Sequence, residues 1–159
     1  MKRITHALSG AAVGASVSLV TGEHTLSLAA IGAVAGVVPD VDAAIPLLSR
    51  RIHRSAATHS VLAAAMLALA WVVVLSGLSH LVPQVQPETE YVLSSGLAVF
   101  ASAFVHAVED SLTVAGSRLF YPFSRRRWRG PVKYDDPIAN AALSAAAAVA
   151  LVLIAGSHW

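Results

Sequence analysis

Pro39–Ser60, PDVDAAIPLLSRRIHRSAATHS, lies between two segments built almost wholly of alanine, valine, leucine and other small residues. Within it stand Asp40 and Asp42, the arginines Arg50, Arg51 and Arg54, the histidines His53 and His59, and a helix-start signal, Thr58-His59-Ser60. From this stretch alone two readings compete. One is a polar connector between membrane helices, with Asp42 and Thr58 as caps. The other is a site, because ionisable side chains at a membrane are functional when they find partners. The decision therefore lies in the flanking chain.

Those flanks read as membrane. The sequence has 159 residues, of which 56% are hydrophobic and only 13% charged, with a mean hydropathy of +0.67; a soluble domain carries about 25% charged residues. Aromatics are only 6%, so the apolar mass is aliphatic and suited to closely packed helices. No cysteine is present, which excludes disulfides, thiolate metal sites and cysteine nucleophiles. The length is that of one domain, 1–159.

Working outward, Leu26–Val38 is a second helix ended by Pro39, which cannot donate to the helical ladder. It is shorter than the ~20 residues of a full crossing, which sets Asp40 and Asp42 at or just inside the membrane boundary. Before it, Ile4–Val20 forms a first helix, joined through Thr21-Gly22-Glu23-His24. Met1-Lys2-Arg3 ahead of an apolar run has the outline of a secretory signal, but further spans follow and His6 lies within the run. Gly10-xxx-Gly14 and Gly32-xxx-Gly36 allow close helix approach, or are ordinary small-residue filler. After the opening stretch, a third helix runs from Thr58 to Val82, a loop covers Pro83–Glu90, and a fourth helix covers Tyr91–Ala115. A basic segment, Gly116–Asp136, leads to a polyalanine-like fifth helix, Pro137–Ala155, read as packing only. The expected fold is an all-α integral membrane bundle of about five transmembrane helices, with a polar, motif-bearing loop between the second and third.

Five spans with the N-terminus inside put all 11 lysines and arginines on the cytoplasmic side, and only Glu23, Glu88 and Glu90 among the acidic residues outside. The pI near 9.4 is then a topology signature. Arg125–Arg129 with Trp128 suits anionic lipid headgroups better than nucleic acid. The same topology brings His6, His53, His59 and His106 to one membrane face with Asp40, Asp42, Glu109 and Asp110. On the fourth helix Asp110 lies about 40° to one side of His106, and Thr113 about 20° and Glu109 about 60° to the other. Glu109 could ligate, act as a base or pair with an arginine. Imidazole with carboxylate suits zinc, manganese or iron, and carboxylates alone magnesium or calcium. The donors outnumber those of one tetrahedral zinc. Two ions about 3.5–4 Å apart, sharing Asp40 or Asp42, would use them and activate a water.

These residues resemble the inner-membrane metal-dependent hydrolases called LexA-binding, or YdjM-like. The likeness runs through His6, Pro39-Asp40-x-Asp42, His53-Arg54 with Thr58-His59-Ser60, His106-x3-Asp110-x2-Thr113-x2-Gly116, and Pro122-Phe123-Ser124. Where that family often has a histidine after its second aspartate, this chain has Ala43. The interval from His53 to His59 is one residue longer than the commonest one, so either His53 or Arg54 occupies the first position of that motif. The resemblance implies a metal-dependent hydrolase with distant kinship to zinc-dependent phospholipase C and nuclease folds.

The expected metal ligands are His6, Asp40, Asp42, His53, His59, His106 and Asp110, with Arg54, Glu109 and Thr113 as catalytic residues. Arg54 would hold substrate phosphate bidentately. Thr58 and Ser60 would cap the third helix. The expected cofactor is a divalent metal, as two ions, zinc or manganese ahead of magnesium. The expected reaction is hydrolysis of a phosphoester, including a lipid-linked one, at the cytoplasmic face of a prokaryotic cell or inner membrane. Membrane lipids and a small-molecule or lipid phosphoester are the expected partners, with a homo-oligomer allowed and nucleic acid disfavoured. The rivals are a divalent-cation transporter and a non-catalytic scaffold with a structural metal.

Overall fold

The computed structural model describes residues 1–22, 24–41, 55–82, 84 and 86–157. Among the described residues there are five α-helices: α1 (Arg3–Thr21), α2 (Thr25–Ala35), α3 (Val61–Leu81), α4 (Thr89–Ser111) and α5 (Pro137–Gly156). All but α2 are long and apolar enough to cross a membrane, and no named strand occurs among the described residues. α2 continues past Gly36 into a short 3₁₀ turn, Val38–Asp40, with Pro39 inside it. Asp42, His53 and Arg54 lie outside the described residues, as do Arg50 and Arg51.

α1 and α4 form the middle of the bundle, and about half of each span is buried (50% and 56%); α3 buries only 6% and α5 17%, so lipid is the solvent for most of their surface. The interior is thin. Val17, Leu28 and Ala98 pack together with Ile31 and Tyr91 against them. Close backbone approach takes the place of a thick core. Each of the two small-residue motifs fits into the other: a Cβ on Gly10 would meet Gly32 O, one on Gly14 would meet Leu28 O, and one on Gly36 would meet His6 O. Ser102 on α4 adds a hydrogen bond to Gly10 O at 3.0 Å. The hairpin between α1 and α2 turns at Gly22, whose φ of 75° is left-handed and whose N–H bonds Ser18 O.

Besides the end of α2 at Ala35 rather than Val38, three features differ from the expectation. Ser60 alone caps α3, accepting from Ala63 N at 3.1 Å, whereas Thr58 Oγ1 bonds His59 Nδ1. α4 ends at Ser111 rather than Ala115, because Thr113 Oγ1 donates to Asp110 O and competes with continuation of the helix. The basic segment folds back as a clasp: Ser117 and Trp128 exchange backbone hydrogen bonds, and Val114 N donates to Val132 O. Gly116 sits there with a φ of 66°, under the Trp128 carbonyl. The clasp also completes α3, since Val61 N donates to Leu119 O and Leu62 N to Tyr121 O; these are amides a helix start leaves without partners.

α5 does more than pack. Asn140, buried on it, accepts from Lys2 N and Thr5 Oγ1, both at 2.8 Å, and donates to Tyr134 O and Asp136 O. One amide thus ties the start of α1 to the start of α5.

Candidate metal centre

His6 is in the first turns of α1, Asp40 ends the 3₁₀ turn after α2, His59 precedes α3, and His106 and Asp110 are in the last turns of α4. The up-down order of the helices brings all five to one end of the bundle. All are buried, with exposures of 0–1% for four of them and 8% for Asp40.

Each imidazole is held from behind through Nδ1. His6 Nδ1 donates to Glu109 Oε2 at 2.5 Å, and His106 Nδ1 donates to Gly36 O at 2.7 Å. His59 Nδ1 meets Thr58 Oγ1 at 2.7 Å. A neutral ring that donates through Nδ1 has its lone pair on Nε2, and the Nε2 atoms point inward to the carboxylates. His59 Nε2 is 3.4 Å from Asp110 Oδ2 and 3.7 Å from Asp40 Oδ1. His106 Nε2 is 3.8 Å from Asp40 Oδ1, and His6 Nε2 is 3.4 Å from Asp110 Oδ1. The rings of His6 and His106 lie 3.9 Å apart, centroid to centroid.

One donor atom from each of Asp40, His59, His106 and Asp110 falls within 4.8 Å of every other. That group could hold a metal ion. Two observations fit a cation there. The Nε2 atoms of His6 and His106 are buried and make no hydrogen bond among the described residues, although a buried polar atom without one is costly. And a ligating histidine characteristically gives its other nitrogen to a carboxylate or carbonyl, as His6 and His106 do. Asp110 also accepts from the buried N-terminal ammonium of Met1, at 2.8 Å on Oδ1.

The expected site residues divide accordingly. Asp40, His59, His106 and Asp110 come together and His6 adjoins them. Glu109, expected as a reacting group, has its Oε2 behind His6. Thr113, expected on the same face as His106, is in the turn beyond the helix; its hydroxyl supports the Asp110 carbonyl. Gly36 was visible only as a small residue, yet its carbonyl orients His106. No sequence signal distinguishes that role.

Fold and site together define an α-helical membrane protein with a buried histidine–carboxylate cluster at one end of the bundle. The sequence profile described as YdjM inner membrane protein matches residues 1–158, and the chain belongs to that family. No curated protein and no solved structure matches it.

Proposed function

We propose that this protein is a metal-dependent hydrolase of phosphoesters, including lipid-borne ones, acting at the cytoplasmic face of the membrane. The observation that carries the reading is the inward convergence of imidazole Nε2 atoms on two carboxylates, each ring fixed from behind. Asp40, His59, His106 and Asp110 would be the donors for one ion. Asp110 turns Oδ2 towards His59, while its Oδ1 accepts from the Met1 ammonium; a second ion would be held with Asp40 or Asp42 as the shared carboxylate. Mixed nitrogen and oxygen donors favour zinc or manganese over magnesium. A bound divalent ion supplies Lewis acidity at phosphoryl oxygen and lowers the pKa of water.

The chain's own residues supply position. Glu109, Gly36 and Thr58 set the ring planes of His6, His106 and His59. Arg54 is assigned the substrate phosphate, because its planar fork matches two phosphate oxygens. A cation transporter would use similar donors, but transporter sites lie near the bilayer midplane, whereas these gather at one end of the helices.

The test is purified protein in nanodiscs with manganese or zinc, offered phosphatidic acid, other phospholipids and a soluble phosphodiester. Release of phosphate or alcohol should be abolished by His106→Ala and Asp42→Asn while the helical content persists. Arg54→Lys should retain metal binding and lose most of the rate. Turnover that survives loss of either metal ligand would refute the assignment.

A further inference from the structure

α2 and α3 both lean on α4 and leave a cleft of about 500 Å³ between them. Ile31, Val34 and Val38 form one wall and Leu67, Trp71 and Val74 the other, with Val99 of α4 behind. The only polar side-chain atom among these residues, Trp71 Nε1, donates to Ser95 Oγ at 2.9 Å. Among the described residues, a molecule in the cleft therefore meets hydrocarbon alone, and a polar ligand or a file of water would lose its hydrogen bonds to them. α3, which forms the outer wall, is left uncovered by the described residues along most of its length.

The cleft has a direction. Its wall runs from Ala30 to Val38, roughly 12 Å along a helix axis, and Val38 opens the 3₁₀ turn that ends two residues later at Asp40. One end of an apolar groove thus abuts the histidine–carboxylate cluster. The cluster at its end discriminates between occupants: an apolar partner helix would bring nothing to the imidazoles and carboxylates there, whereas an amphiphile brings its headgroup. An alkyl chain is thin enough to enter.

We propose that this cleft holds the hydrocarbon chain of an amphiphilic phosphoester and delivers its headgroup phosphate to the cluster at Asp40. The inference rests on the hydrolase reading and names its substrate class: a lipid or other long-chain phosphate, taken up from within the bilayer.

The deciding experiment needs no turnover. Phosphatidic acid with a photoreactive diazirine in its acyl chain is incorporated in phosphatidylcholine nanodiscs with the full chain and manganese, irradiated, and the adducts mapped by mass spectrometry. Adducts should concentrate on residues 30–38 and 67–74, and Val34→Phe or Ala70→Phe, which fill the cleft from opposite walls, should each reduce them at least about fivefold. Retention of the manganese-dependent melting shift in either variant shows that the fold and cluster survive the substitution. Adducts spread evenly over the lipid-facing surface, or cross-links between two copies of this chain through the cleft, would overturn the proposal. A protein that labels in the cleft but hydrolyses no phosphoester would refute the reaction and leave the lipid site standing. Where hydrolysis is observed, both variants should lower the preference for long-chain over soluble phosphoester at least about tenfold; an unchanged preference would count against the cleft.

Discussion

Gly36→Ala tests whether the metal centre depends on backbone contact between α1 and α2. Gly36 has a φ of −66°, which alanine adopts readily, so any effect is steric. The added methyl would run into His6 O and come within 3.2 Å of Gly10 Cα and 3.3 Å of Gly32 O. These are backbone atoms in two packed helices, and they must move by roughly 1 Å to recover normal contact. Ligand distances in a metal site tolerate only about 0.2 Å. The same displacement shifts Gly36 O, which holds His106 Nδ1, and loss of such an orienting partner weakens metal binding about 10–100-fold. That corresponds to about 1.4–2.7 kcal/mol. Affinity for zinc and manganese would be measured by competition with a chromophoric chelator in detergent. Gly77→Ala on α3 is the control, because a Cβ there meets nothing within 4 Å; it should bind as the parent does. A Gly36→Ala protein that is folded and binds metal with parental affinity would refute the coupling of helix approach to site geometry.

At a metal concentration of about 100 Kd, bound ion should stabilise the fold by about 2.7 kcal/mol, a melting rise of about 5–11 °C for a chain of this length. No shift on adding zinc or manganese after chelation would remove the metal from the account. Asn140→Leu leaves Lys2 N and Thr5 Oγ1 without their acceptor and should cost about 1–3 kcal/mol, read as a lower melting temperature in the metal-free protein; an unchanged value would show that the α1–α5 tie contributes nothing. Cysteines introduced singly at Ser124 and Gln86 should react with an impermeant maleimide from opposite sides of the membrane, position 124 from the cytoplasm. Reaction of both from one side would break the topology on which the proposed cytoplasmic placement of the site rests.

The spans were legible because hydropathy and proline reveal where a helix must stop. The shared end of the site was legible because arginine and lysine counts order the helix ends before any contact is known. Helical angles likewise put His106, Glu109 and Asp110 near one face, but an angle assigns no partner: only the approach of α1 makes Glu109 the neighbour of His6. Asn140 was passed over for a related reason. A single uncharged amide in a polyalanine helix has no periodicity, and its four hydrogen bonds come from residues at both ends of the sequence. The end of α4 was misplaced by four residues because the hydrophobic pattern continues through Leu112 and Val114, while the break comes from one hydroxyl returning to the Asp110 carbonyl. The clasp left little trace beyond glycine, since backbone amides and carbonyls form it.

That clasp has a consequence for the order of assembly. The first amides of α3 are completed by the carbonyls of Leu119 and Tyr121, which a ribosome makes about sixty residues after His59. Until α4 has emerged and the chain beyond it has doubled back, the first amides of α3, just after His59, lack these acceptors. The end of α3 beside His59 is therefore completed by chain made after all four grouped donors. A nascent chain in the membrane has α1, α2 and their interlocked glycines well before the cluster that could hold an ion is finished.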